Sequence, residues 1–168
     1  MRGQAKTAAF AGLLAAAGVL FGYVELLFPL DFIAPGVKLG LANAVALYLI
    51  CCNRPGLAFA VNTVRILLSA LLFTNAFTLL FSLTAGLGST AAMAFAAKTK
   101  RFGVWGVSLW GAFTHNLLQW ALARAIFSAG VTAYLPFLLL AAVLTGSLLG
   151  LTVYLLLKRF SVYNSLKI

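Results

Sequence analysis

Three basic side chains fall inside long apolar stretches of this sequence. Arg65 lies in "AVNTVRILLSALLF", Arg124 ends "GAFTHNLLQWALAR", and Lys38 follows Pro35 and Gly36 in "IAPGVKLGLANA". A guanidinium or ammonium taken out of water must be met by an acid, by hydrogen-bond acceptors or by a bound anion. The chemistry open to these residues is therefore ligand capture or structural pairing. His115, Asn116 and Gln119 add neutral hydrogen-bonding groups, and their i+3 and i+4 offsets form one polar helix face.

Depth separates the three bases. At about 1.5 Å per residue, Arg65 is about 13 Å into its apolar segment, near mid-membrane, whereas Arg124 falls near the outer boundary. A midplane arginine costs a few kcal/mol even on lenient insertion scales. Two readings stand for it. Asn62 and Ser69, at i−3 and i+4, share its face and could bridge it to neighbouring helices. Alternatively it opens on a polar cavity and neutralises a guest. The only acids are Glu25 and Asp31, and Glu25 is about 27 Å along its own helix, well above Arg65 by residue count. For Arg124, Trp120 one turn earlier offers a cation–aromatic contact. Lys38 begins a short apolar segment, where free amides and a partial positive charge invite an anion; the alternative is snorkelling to outer headgroups. Asn43, one turn further in, extends a polar lining toward Arg65.

The elements that position these groups follow from composition. The 168 residues are 64% hydrophobic and 8% charged, too apolar for a water-exposed surface. Runs of roughly 18 or more apolar residues recur, each long enough to cross ~30 Å of hydrocarbon as a helix. An all-α membrane bundle of six spans is predicted, at about residues 7–28, 37–52, 56–73, 77–97, 103–127 and 134–157, forming a single integral membrane domain. "MRGQAK" before an Ala-rich run superficially resembles a cleavable signal, but the apolar run continues as a first span does. The second span, at sixteen residues, covers about 24 Å.

The net charge of +10 is explained by topology rather than by nucleic acid. Arg2, Lys6, Arg54, Lys98, Lys100, Arg101, Lys158, Arg159 and Lys167 all fall at the termini or at the second and fourth connections. The positive-inside rule then predicts both termini in the cytoplasm. Small residues recur at four-residue spacing, as in Ala8, Gly12 and Ala16; Ala11 and Ala15; Gly36, Gly40 and Ala44; Ser82, Gly86 and Thr90; and Ala142, Gly146 and Gly150. Such stripes let helix backbones approach closely.

Several activities are disfavoured by what the sequence contains. "AGLGSTA" has no P-loop lysine. Two acids are too few for magnesium–diphosphate chemistry, and His115 has no acid near it in sequence. Adjacent Cys51 and Cys52, with a single histidine, do not supply a metal cage and read as reduced core or interface thiols. Neither an intrinsic ATP site nor a metal site is expected, and no cofactor is assigned.

The segments "YVELLFPLDFIAPGVKLGLANAVALYL", "VRILLSALLF", "FSLTAGLGS", "GVSLWGAFTHNLLQWALA" and "YLPFLLLAAVLTGSLLG" resemble, in order and over nearly the whole chain, the Gx transporter family. Its bacterial members are often labelled heptaprenyl diphosphate synthase component I. That family is similar to the substrate-binding S components of energy-coupling factor (ECF) vitamin importers. The resemblance implies a six-helix fold in the bacterial cytoplasmic membrane, with an outward-facing pocket capped by the first loop. It also implies docking of a transmembrane coupling subunit, driven by two ATPases, on the alanine-spaced face at Ala11 and Ala15. The synthase label conflicts with the missing aspartate-rich sites, so no enzyme activity is expected of the chain itself. The resemblance also implies an association with membrane flavin and quinone redox systems. The expected function is a membrane-embedded binding or uptake subunit for a small anionic molecule, with Lys38, Arg65 and Arg124 offsetting charge and Asn43, His115, Asn116 and Gln119 supplying hydrogen bonds. A redox-complex anchor and an accessory role in isoprenoid diphosphate synthesis are the alternatives.

Overall fold

The computed structural model describes residues 2–27, 40–127 and 129–159, which form six α-helices and no strand. They are α1 (Arg2–Leu27), α2 (Ala44–Cys51), α3 (Pro55–Phe73), α4 (Ala76–Lys98), α5 (Val104–Phe127) and α6 (Leu135–Arg159). A single 3-10 turn, Leu41–Asn43, leads into α2, and a second, Ala129–Tyr134, leads into α6. The all-α bundle expected from the apolar runs is what the chain adopts.

Local chemistry sets the helix ends. Asn53 takes a left-handed φ of 56° in the α2–α3 turn, and Pro55 then opens α3, where its missing N–H and fixed φ cost nothing. Asn75 caps α4 by accepting from the Thr78 amide at 2.9 Å. Lys98 closes α4, and Lys158 and Arg159 close α6, each placing positive charge at the negative end of a helix dipole.

Packing is inverted relative to a water-soluble bundle. Leu13, Leu71, Phe95 and Leu144 are 68–83% exposed, while Ala58, Ala85, Ala142, Ser89, Thr90 and Ser108 are buried. Four helices are long and apolar enough to cross a membrane: α1, α3, α4 and the stretch Thr132–Arg159 containing α6. Bulky apolar groups outside and small residues inside are what lipid-facing helices require, because lipid solvates leucine while close backbone approach supplies dispersion contacts. α5 is equally long, but Thr114, His115, Asn116, Gln119 and Arg124 make it less apolar. Its partners are α4 and α6; α1 pairs with α3.

The second segment departs from expectation. Its helical part runs from Leu41 to Cys51, about 18 Å, instead of the sixteen residues counted from 37 to 52. Residues 37–39 lie outside the described part. Every α2 residue except Tyr48 is buried, and the element touches α1, α3, α4, α5 and α6. α2 is thus a short central plug, its Leu47, Leu49 and Ile50 forming one core with Ala15, Ala58, Val61, Met93, Val107 and Val153.

The α5–α6 seam shows how tightly the small stripe is used. A Cβ on Gly150 would lie 3.2 Å from Ser108 Cβ and 3.2 Å from the Trp105 Cα. A Cβ on Gly12 would meet nothing within 4 Å. Gly150→Val should therefore lower stability by about 1–3 kcal/mol in detergent unfolding followed by circular dichroism, the usual cost of overpacking. Gly12→Ala should change it by no more than about 0.5 kcal/mol.

Candidate functional site

Arg65 sits midway along α3 and is part-buried. Its Nε donates to Asn62 Oδ1 at 3.0 Å, and its Nη2 donates to Asn62 Oδ1 at 2.6 Å and to Asn43 Oδ1 at 3.3 Å. Asn62 is itself 2% exposed and passes the bond onward, its Nδ2 donating to Thr90 Oγ1 at 2.8 Å and to the Gly86 carbonyl at 3.1 Å. Of the two residues sharing the Arg65 face, Asn62 makes the bridge. The buried Ser69 hydroxyl makes no hydrogen bond among the described residues.

Glu25 also acts on Arg65. Its charge reaches the guanidinium, and its Oε1 accepts from the Gly40 amide and, at 3.2 Å, from the Leu41 amide. Counting depth along each helix put Glu25 well above Arg65, and the register between the helices keeps it above. Gly18 lies against the Arg65 stem and Gly22 against Ser69, so α1 and α3 run side by side in step. Glu25 is then only two turns beyond the level of Arg65.

A small cavity lies beside this network, between α4, α5, α6 and the turn entering α2. His115, Asn116 and Asn43 line it together with Ser89, Ser108 and Thr145. Its volume is about 30 Å³, room for one or two waters and far below the ~300 Å³ of typical small-molecule sites. Asn116 is oriented by donating from Nδ2 to the Leu138 carbonyl of α6 at 2.7 Å. Gln119, one turn further along α5, is half-buried and does not line the cavity. Arg124 is exposed; it stands 5.7 Å from the Trp120 ring centroid and donates to Thr132 Oγ1, so it ties the end of α5 to the following turn. Lys38 falls outside the described residues.

The structure therefore divides the expected set. Arg65 is held in an asparagine network, His115 and Asn116 line the cavity, and Asn43 belongs to both. On α1, Ala15 is buried in the core with Ala11 packed beside it, while Ala8, Gly12 and Ala16 form the exposed small face. Sequence reasoning missed Ser89, Ser108 and Thr145. A signal was present: Ser89 lies three residues after Gly86 and Thr145 directly before Gly146, and Ser108 is four before Ala112, so each reads as one more small spacer unless its polarity is noted.

Residues 14–156 match a protein family described as heptaprenyl diphosphate synthase component I. The chain belongs to this family. No curated protein and no solved structure matches it. The matched span takes in the second half of α1, most of α6 and everything described between them, so the Arg65 network and the cavity both lie within the heptaprenyl diphosphate synthase component I region. Among its described residues, no three His, Cys, Asp or Glu side chains come together as metal ligands.

Gly18 and Arg65 make a testable pair. A Cβ on Gly18 would lie 2.6 Å from Arg65 Cδ, in a stem whose head is anchored at two asparagines. Arg65→Ala should reduce unfolding free energy by about 1–3 kcal/mol by leaving Asn62 Oδ1 buried and unmet. Gly18→Val should cost a similar amount alone, but less than about 0.5 kcal/mol in the Arg65→Ala background, where the obstructing stem is gone. Additive losses in the double variant would contradict this reading.

Proposed function

We propose that this chain is a non-catalytic, membrane-embedded subunit that binds and passes on a small polar molecule. The observation that carries the reading is the cavity between α4, α5, α6 and the Gly40–Asn43 turn, where six polar side chains converge among apolar ones in the middle of an apolar bundle. Polar groups in such a place are expensive and are kept for function or for helix contacts. Six polar residues converging on one hollow favour the former. No described lysine or arginine lines it, His115 being its one titratable group, so the guest need not carry the negative charge that the base count suggested. At about 30 Å³ the cavity takes one end of a guest, and a vitamin-sized molecule enters whole only if the lining parts.

The two acids of the whole chain are Glu25 and Asp31, and Glu25 is engaged by backbone amides. Diphosphate chemistry through clustered carboxylates therefore has no support in these residues. A partner supplies any energy or catalysis, and a coupling subunit with ATPases fits the uptake reading. The family description favours a second reading, in which the chain is the membrane component of a diphosphate synthase whose chemistry resides in another polypeptide.

Arg54 in the α2–α3 turn, Lys98, Lys100 and Arg101 between α4 and α5, and Lys158 and Arg159 at the end of α6 support a cytoplasmic location for that end of the bundle.

Purification of the chain from its own membrane, followed by mass spectrometry of what it retains, tests the binding reading. A small molecule should co-purify with the wild type and be lost from Thr145→Met, whose flexible side chain fills the cavity without demanding a rigid fit. Recovery of a prenyl synthase polypeptide with no small molecule would favour the second reading, and recovery of flavin or quinone proteins would favour an anchor.

Orientation has its own measurement. Cys51 is buried, whereas Cys52, at the basic turn, is partly accessible. Burial pushes the Cys52 thiol up, and a hydrogen bond with Tyr48 and the charge of Arg54 pull it only part of the way back. A membrane-impermeant maleimide should modify Cys52 slowly at pH 7, only after the cytoplasmic face is opened, and about tenfold faster per added pH unit until the thiol is ionised. Labelling of intact cells would reverse the assigned orientation.

A further inference from the structure

A hydrogen count around the cavity indicates which chemical group fits there. Ser89, Ser108 and Thr145 each own a single hydroxyl hydrogen. Ser89 commits it to the Gly86 carbonyl at 3.0 Å, Ser108 to the Gly146 carbonyl at 2.7 Å, and Thr145 to the Ala141 carbonyl at 2.9 Å. All three therefore have only oxygen lone pairs left for an occupant. Asn116 turns its amide nitrogen to the Leu138 carbonyl, which leaves Oδ1 as a further acceptor. Asn43 is the reverse: the Arg65 guanidinium takes its Oδ1, and its N–H pair remains. The three hydroxyls and Asn116 Oδ1 thus accept, the Asn43 N–H pair donates, and His115 on α5, whose neutral ring carries one N–H and one bare nitrogen, and the second Asn116 N–H add a smaller share of donors.

We infer that this cavity receives the neutral, hydrogen-bond-donating end of a small molecule, a primary amide or an alcohol, and excludes carboxylate and phosphate. The inference deepens the binding-subunit reading and rests on it. A carboxylate brings no hydrogen to the three committed hydroxyls, so one of its oxygens would face their lone pairs even with the other on Asn43, and no lysine or arginine in the lining offsets its charge. An ammonium brings hydrogens but also a charge, and the cavity has no acid in its lining to meet it. A primary amide matches both sides: its N–H groups face Ser89, Ser108, Thr145 and Asn116, and its carbonyl faces Asn43. The volume admits this end of a ligand and not its whole body.

Formamide and formate have the same heavy-atom count and shape and differ in donors and charge, so they serve as probes. Ligand-observed saturation-transfer NMR on the full chain in nanodiscs should detect formamide, lose that signal in Thr145→Met, and detect no formate. Thr145→Val, which keeps the shape and removes one acceptor, should weaken formamide about fivefold, the effect of one net hydrogen bond. Formate binding that Thr145→Met abolishes would overturn the inference while leaving the binding reading intact. If neither probe responds to Thr145→Met, both fall. An unchanged formamide affinity in Thr145→Val would also sink the donor assignment, because the count requires that oxygen to accept.

Discussion

The constraint on which the fold depends is the desolvation of one guanidinium. Arg65 occupies the middle of a helix whose outward neighbours, such as Leu71 and Leu72, are lipid-facing. Its head cannot reach water without leaving the bundle, so acceptors must come to it. Two do, Asn62 Oδ1 from its own helix and Asn43 Oδ1 from the turn before α2; the charge of Glu25 on α1 adds to them, and Asn62 is held in place by donating to Gly86 and Thr90 of α4. Each charge-assisted bond is worth roughly 1.5–3 kcal/mol, enough together to offset a few kcal/mol of insertion cost. The consequence is architectural. A side chain that would be a liability alone pins α1, α2, α3 and α4 in one register.

That pinning accounts for the short second helix. An element of about 18 Å cannot present both ends to headgroups, and one end of this helix stops inside the bundle. Helix N-termini buried without partners are costly, because their first amides have no intrahelical acceptor. Glu25 meets this need by accepting from Gly40 and Leu41. Gly40 adopts φ +75°, a left-handed conformation that suits glycine and turns the chain into the helix at that point. The carboxylate at the positive end of α2 is also where a helix dipole favours it.

How far this was legible in the sequence depends on the kind of signal. Segment length and hydropathy defined five of the helices to within a few residues. Trp120 and Arg124, and Asn62 and Arg65, were readable as pairs because contacts along one helix follow from 3.6 residues per turn. Depth placed Glu25 above Arg65, and the Gly18–Arg65 approach keeps it about two turns above; that its charge still bears on the guanidinium was not legible, because depth along one helix does not fix the register of the next. The length of α2 was overestimated for a related reason, since an apolar run fixes no starting point when the helix begins inside protein. The cavity hydroxyls were hidden by their size: Ser and Thr serve equally as spacers in a helix seam and as polar lining, and a stripe pattern cannot tell the two apart.

Asn43 joins the two halves of the site, and this shapes how binding and structure are coupled. Its Oδ1 faces the charged network while its amide N–H pair is left for the cavity, so one planar group is shared by both. An occupant that draws the Asn43 amide toward itself weakens the 3.3 Å contact with Arg65, already the longest of its three. The guanidinium would then lean more on Asn62 and on Glu25, whose carboxylate also holds Gly40 at the rim of the same cavity. On the proposed binding reading, occupancy would thereby be felt at the α1–α3 contact without any charge entering the cavity. On that reading, a neutral guest read out through a charged network is a physically consistent way to report binding to a partner seated against the bundle.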